Sequence, residues 1–449
     1  MIRLDMLEDC FEGVIPSVIA TTAIDGTPNI SYLSHVVRVD ERHVAISNQF
    51  FAKTTANIRA NPRASLMLVS GRTGAQFQLA LTWTASHDQG TLFDRMANEL
   101  RASSAQVGMA GVMRLKAIDV FRVEAIVPVN APRQMEADAA PPAPDLARVN
   151  LSMQAIALAQ DAEGVLNATL DACIGFGAAQ ALVLLDEGDG TMLTTVASRG
   201  YETSGIGSET PVGEGLIGMA AASRLPLKVN DMSRVRRMGA AIEAIGTMDE
   251  NRTRTIALPS APQAMSQMAV PILVHATLRG VLFVESPVRL AFGKAQEKAI
   301  EIAASQSGLA LALCETLAAR SQPRPEARRA GQDGGRRVHI VHHEYDDSIF
   351  IDDAYVIKGV AGRLLVYMLE RYLAEGRSEF TNREIRLATT LRLPELKDNL
   401  ETRLLLLRRR LDERASPVRL VHSRRGCVRL EIDGQPTLAQ SGPARGLPC

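Results

Sequence analysis

Neither sign of charge dominates this chain of 449 residues: Lys and Arg number 50, Asp and Glu number 50, and the formal net charge is zero. No global field draws it to nucleic acid or an anionic membrane, so any such role has to come from a local patch. Cysteine is scarce and scattered. Cys10, Cys173, Cys314, Cys427 and Cys449 are odd in number with no Cys-x-x-Cys pair, which argues against a disulfide framework and a zinc cluster. No apolar run reaches the roughly 18 residues of a spanning helix, and Met1-Ile2-Arg3-Leu4-Asp5 carries an acid where a signal peptide needs an apolar stretch. The chain reads as cytoplasmic and soluble, without a membrane partner. There is no internal repeat.

Its length suits about three domains of roughly 150 residues each. Two stretches lack apolar periodicity and are rich in proline, alanine or charge: Ala131–Ala147, with Pro132, Pro141, Pro142 and Pro144, and Ser321–Arg337, with Pro323, Pro325 and Gly331-Gln332-Asp333-Gly334-Gly335. Both read as linkers. The expected division is a domain at 1–130, a linker at 131–149, a domain at 150–320, a linker at 321–337, a domain at 338–433 and a disordered tail at 434–449.

In the first domain, short alternating runs at Val14–Ala23, Ile30–Val39, His43–Ser47, Ala64–Val69, Gln76–Ala85 and Met113–Val123 are broken by turn signals such as Asp25-Gly26-Thr27-Pro28. Strands at this spacing, with one helix after Lys53 and another near Leu92–Ser103, predict a small barrel. The organising stretch is Ser47–Arg63. It leaves the strand Val44-Ala45-Ile46, crosses a polar turn with one lysine, and enters a helix that Asn61-Pro62 must end. A strand end, free amides, hydroxyls and a cation make an anion cradle.

Gly13–Pro128 resembles the split-barrel flavin-binding family that includes pyridoxamine 5′-phosphate oxidase. The resemblance rests on Ser47-Asn48 at the strand end, Lys53 a few residues on, and Asn61-Pro62-Arg63 closing the helix. It implies an FMN cofactor whose phosphate pairs with Lys53, with Ser47 and Asn48 at the phosphate or ring edge, Thr54 as a hydroxyl donor, and Gln76 near the flavin ring, where an amide would tune its potential. The chain departs from the family at Ala52, where the oxidases carry arginine, and along Tyr32–Val37, which lacks their basic residues. Fewer cations hold a dianionic phosphate less strongly. Oxidation of pyridoxamine phosphate is not expected. His35 reads as an ordinary packed or edge histidine and Trp83 as a core side chain.

From Asn150, read as a helix N-cap, the pattern changes to helices alternating with strands at Ala181–Asp186, Met192–Ser198, Leu227–Val229, Gln267–Val274 and Leu278–Glu285, then a helix from about Lys294 to Ala318. This predicts an α+β domain. Leu151–Ala319 resembles a GAF domain through Val212-Gly213-Glu214-Gly215-Leu216-Ile217-Gly218, Leu225-Pro226-Leu227 with Asn230-Asp231, and Met268–Ile272 paired with Leu278–Val284. The resemblance implies a small-ligand or interaction module. It lacks the Asn-Lys and Phe-x-x-x-Asp-Glu of the cyclic-nucleotide version. Arg234–Pro262 is either a lid over the pocket or a disordered loop. His275 and Cys173, each single, take structural roles. Apolar residues at Ile300, Ile302, Leu309, Leu311 and Leu313 suit either a second subunit, giving a homodimer, or packing on the sheet.

In Val338–Ile432, alternating strands precede a helix at Val360–Ala374. Thr381 and Glu384 form a capping box, Pro394 opens a long helix with Leu400, Leu404, Leu407 and Leu411 on one stripe, and a hairpin follows. The order resembles a response-regulator-type winged helix-turn-helix, which implies DNA contacts from Asn399, Arg403 and Arg410 on the long helix and from Arg424 and Arg425 on the wing. Arg336–Ile432 carries 19 Lys or Arg against 15 Asp or Glu, a net charge of +4. Glu395, Asp398 and Glu401 oppose phosphate contact, and the competing use of the fold is protein contact.

The whole reads as a multidomain sensor and transcription regulator: split β-barrel, GAF domain, winged helix. The alternative is an FMN-dependent oxidoreductase that the other domains regulate or dimerise.

Overall fold

The computed structural model describes residues 2–33, 35–49, 52–106, 114–129, 141–186, 188, 190–233, 253–320, 336–391, 400–424 and 426–441. Among them no helix is long and apolar enough to cross a membrane.

The N-terminal domain is a seven-stranded antiparallel sheet of β1 (Ser17–Thr22), β2 (Pro28–Leu33), β3 (Val36–Arg38), β4 (His43–Asn48), β5 (Arg63–Val69), β6 (Gln76–His87) and β7 (Ala117–Val129), in the order β2-β1-β5-β6-β7-β4-β3. β2 and β3 are the two edges, yet Leu33 and Val36 are three residues apart and so within about 11 Å. Six strand spacings in a flat sheet would place those edges about 29 Å apart. The sheet therefore rolls into a barrel, split between β2 and β3. Bulges at Ala80/Leu81 and Trp83/Ala85 supply the bend. A 3-10 helix, Leu4–Phe11, plugs one opening with Leu4, Leu7 and Cys10, spaced by its three-residue period. Trp83 packs against this core, as expected. α1 (Ala52–Ala60) crosses β1 and β2, and α2 (Thr91–Gln106) follows β6.

In the middle domain α3 (Leu146–Leu158) and α4 (Ala162–Gly175) are capped by Asp145 and Asp161, whose side chains accept from Arg148 N and Gly164 N. The expected cap at Asn150 is thus corrected to Asp145: the helix runs back through Leu146–Val149, toward the proline-rich stretch. Strands β8 (Gln180–Asp186), β9 (Met192–Arg199), β10 (Glu209–Pro211), β11 (Leu227–Val229), β12 (Ser266–Val274) and β13 (Thr277–Ser286) form a sheet in the order β10-β9-β8-β13-β12-β11. α3, α4 and α6 (Lys294–Arg320) build one core against it, and α5 (Gly215–Ser223) closes the other face.

The glycines around the start of α5 have a physical reason. Gly213 and Gly215 sit at φ +98° and +58°, and a Cβ on Gly218 would meet the Pro211 carbonyl oxygen at 2.1 Å. His275 lies with Ala276 in the two-residue β12–β13 turn, both at positive φ, and Cys173 is buried in the helix-side core. Of Arg234–Pro262, residues 234–252 lie outside the described residues.

The C-terminal domain has β14 (Arg337–His343), β15 (Ser348–Ile351) and β16 (Ala354–Ile357), then α7 (Gly359–Glu375), β17 (Glu379–Thr381), α8 (Asn382–Leu387), a 3-10 turn, α9 (Leu400–Glu413), and the hairpin β18 (Val418–Arg424) and β19 (Cys427–Ile432). The capping box is formed: Thr381 Oγ1 accepts from Glu384 N, and the Glu384 carboxylate from Thr381 N. Gln435–Ser441, expected in a disordered tail, is instead β20 and pairs in parallel with β14 at the sheet edge. Its pattern is weak because only Leu438 packs on the core, and an edge position tolerates Pro436.

Candidate functional site

The cradle forms where β4 runs into α1, and most of its polar side chains are committed to the protein. The Ser47 hydroxyl accepts from His35 N at 3.2 Å and lies 3.3 Å from His35 O, tying β4 to the β2–β3 link. Asn48 Nδ2 donates to Thr55 Oγ1 at 2.8 Å and to the buried Asp119 carboxylate at 3.0 Å. Thr54 Oγ1 meets Asn29 Nδ2 at 3.0 Å and Ser31 Oγ at 2.9 Å, pinning α1 to β2. Lys53 alone of the group is exposed, with no hydrogen bond or ion pair to the described residues. One free ammonium beside the first turn of a nine-residue helix fits a phosphate, while Ser47, Asn48 and Thr54 shape its walls.

Gln76 is not brought to this place within one chain. It begins β6 and pairs with Val69 and Val129, whereas Asn48 pairs with Ala117, twelve positions away along β7.

A second polar centre joins the barrel to the middle domain. Lys228 Nζ lies 2.9 Å from Glu12 and 2.9 Å from Glu297 and donates to Phe292 O at 3.0 Å, while Asn230 Nδ2 donates to Glu12 at 2.7 Å. Burial alone would weaken the Lys228 ammonium, but the two carboxylates outweigh it and raise its pKa. Burial likewise opposes ionisation of Glu297, and Lys228 and Lys294 overcome it, holding that carboxyl down at about 2. Beside this centre lies a cleft of about 930 Å³ between the domains, lined among others by Tyr32, His35, Arg95, Glu99 and Pro226. His35 Nδ1 is buried without a partner, and burial pushes the imidazole down to about 4.

The C-terminal site residues are placed differently from expectation. Arg403 and Arg410 are 6% and 3% exposed. Arg410 Nε donates to Val356 O at 2.9 Å and its Nη1 to Glu413 at 2.9 Å, so this flank faces inward, against β16 and α7. Asn399 and Arg425 lie outside the described residues, and Arg424 ends β18 opposite Cys427. The opposite stripe of α9 meets the middle domain. Leu405 is part of that domain's core, Arg408 pairs with Glu163, and Arg409 donates to Val196 O at 2.8 Å and Asn167 Oδ1 at 3.1 Å. Around the same seam Ile206 enters the C-terminal core and Lys358 pairs with Glu209 at 2.8 Å. Arg254 pairs with Asp346 at 3.2 Å and lies over the rings of Tyr345 and Phe350.

The sequence reading missed Glu12, Lys228, Glu163, Arg408 and Arg409 as contact residues. The only available signal was charge on otherwise apolar segments, which does not name a partner.

Comparison with known proteins agrees with two of the three domains. Residues 5–125 match the pyridoxamine 5′-phosphate oxidase family model and residues 159–312 match the GAF domain model. No curated protein matches the chain. Among solved structures, an FMN-binding protein from Syntrophomonas wolfei subsp. wolfei is 19% identical over 29% of this chain and 89% of its own, with a TM-score of 0.25. The GAF domain of an Acinetobacter phosphoenolpyruvate-protein phosphotransferase is 17% identical over 38% of this chain and 95% of its own, with a TM-score of 0.31. A GAF sensor protein described as putative, from Burkholderia vietnamiensis, is 17% identical over 36% and 84%, with a TM-score of 0.27. The chain thus carries a pyridoxamine 5′-phosphate oxidase-like domain followed by a GAF domain.

Proposed function

We propose that the protein is a sensor and transcription regulator, in which a flavin-binding barrel and a GAF domain sense redox state or a small ligand and control a winged-helix DNA-binding output. The observation that carries this reading is the element order of the C-terminal domain: α7, β17, α8, a 3-10 turn, α9, and a hairpin whose β19 pairs back to β17. That is the order of a winged helix, with α9 in the place of the groove-reading helix and the β18–β19 hairpin in the place of the wing. It stands behind two ligand-type domains, an arrangement that an isolated oxidoreductase does not need.

In the barrel, Lys53 and the first turn of α1 would hold the FMN phosphate, and the bound flavin would supply a ring that accepts and returns electrons. The GAF domain would take the small ligand. Exposed Ile302, Leu309 and Leu313 on α6 support a homodimer through that helix.

Two experiments test the reading. Purified protein carrying flavin shows its visible absorbance, and Lys53→Ala reduces it. A labelled mixed-sequence duplex binds at low salt, with affinity falling as salt rises and on Arg424→Ala/Arg425→Ala. Absence of duplex binding at low salt, both by the wild type and by a variant in which α9 is freed from the middle domain, overturns the output assignment.

A further inference from the structure

The place of α9 in the molecule bears directly on that output. Nine of its fourteen residues are buried, more than one partner face can account for. Leu400, Leu404, Leu407 and Leu411 pack into the C-terminal core. The stripe left for a ligand is Leu405, Arg408, Arg409 and Asp412, at the i, i+3, i+4 and i+7 positions of one helix face. Three of its four members are taken by the GAF domain: Leu405 by its helix-side core, Arg408 by Glu163, and Arg409 by Val196 O and Asn167. The seam beside Glu163, Glu401, Leu404, Arg408 and His422 leaves a gap of about 40 Å³, enough for a water and far too small for a nucleotide. A groove-reading helix needs its outer face open along a channel about 12 Å wide. With α4 lying on α9, the duplex and the GAF domain compete for one surface.

We propose that this is the masked state of the regulator: the GAF domain holds α9 against α4, with Glu163 standing in for the DNA phosphates at Arg408 and Arg409, and DNA binding requires the two domains to part. The inference rests on the DNA-binding reading of the C-terminal domain and adds how that site is closed. The charge logic is specific. Both arginines sit on a helix whose other faces are already packed, and Glu163 is on the first turn of α4, where its carboxylate also complements the helix N-terminus. Release therefore frees two cations together, while the acid that covered them leaves with the GAF domain. A ligand that favours the parted arrangement raises DNA affinity by its differential affinity for the two states.

The test uses the full chain with Glu163→Arg, which lies on the GAF side and leaves the C-terminal domain unaltered; Glu163 keeps 37% of its side chain exposed, so the fold is spared. Glu214→Arg, ahead of α5 on the opposite sheet face, carries the same change of charge away from the seam. Hydrogen exchange over residues 400–413 reads the docking, and anisotropy of a labelled mixed-sequence duplex at low salt reads DNA binding. The expected result is faster exchange across α9 and about tenfold tighter duplex binding for Glu163→Arg over both wild type and Glu214→Arg, corresponding to two phosphate contacts regained. Unchanged protection of α9 in Glu163→Arg overturns the inference. So does released α9 with no gain in affinity where all three proteins bind, an outcome that leaves the DNA reading standing. If α9 is released and none of the three binds duplex, the DNA reading itself fails and takes the inference with it.

Discussion

Glu12 and Lys228 are an ion pair across a domain boundary: the carboxylate of the barrel lies 2.9 Å from the ammonium of the GAF domain, and the side chains are only 16% and 17% exposed. With Asn230 and Glu297 the pair forms a polar centre that joins the two domains.

Glu12→Ala leaves Lys228 with Glu297 as its one remaining carboxylate of the pair and removes one of two acceptors of Asn230 Nδ2, the other being Phe292 O. Breaking a fully buried pair costs about 3–5 kcal/mol, and because Glu297 remains the expected loss is about 2 kcal/mol. Scanning calorimetry of the full chain should show the barrel and GAF transitions separating; a single unshifted transition would count against the contact.

The same centre sets an acid limit. Glu297 is held at about 2, below its ordinary value, so its contribution is present above about 4.5 and is lost as pH falls toward 2. Lys228 is raised, so its contribution is full below its unfolded value near 10.4 and is lost only as pH climbs past that. Stability of the joined domains should therefore fall between pH 4.5 and 2, and Glu297→Gln should flatten that fall.

His35 is pushed down to about 4 by burial, so the folded barrel keeps it neutral while the unfolded chain protonates it near 6.5. Its contribution is present above about 6.5 and is lost as pH falls to 4. The ring proton shifts should titrate near 4 in the native protein; titration near 6.5 would contradict the buried, partnerless placement of Nδ1.

The fold was legible where periodicity and turn chemistry carry it. Alternation fixes the barrel strands, Asn61-Pro62 ends α1 at Ala60, and Thr381-x-x-Glu384 marks the start of α8. The cradle was legible as a place, but the sequence does not say which polar groups face a ligand. Ser47, Asn48 and Thr54, expected as ligand contacts, also bond His35, Asp119 and Asn29, partners that their own stretch of sequence does not show. The flank of Arg403 and Arg410 was misplaced for a related reason. Helical spacing shows which residues share a face, not how many neighbours a helix has, and α9 has one on each side.

Lys53→Ala removes the free cation of the cradle without touching the core. FMN affinity, read by flavin fluorescence quenching, should weaken by about tenfold or more, the worth of one charge-assisted hydrogen bond, with melting of the apoprotein unchanged. Equal affinity would place the phosphate elsewhere.

Leu405→Ala empties a side chain shared between α9 and the GAF core, at a cost of about 2–4 kcal/mol. Denaturant unfolding should report that loss; a change within 0.5 kcal/mol, about the size of a surface substitution, would show Leu405 to be solvent-facing.

The most direct test of the regulator is the affinity of the full chain for a mixed-sequence duplex, measured at one low salt concentration with the bound flavin oxidised and then reduced. The account predicts affinities that differ by about fivefold or more, a coupling of about 1 kcal/mol between the barrel and the output. Equal affinities in the two redox states, with flavin bound throughout, would contradict redox control of the output by the barrel.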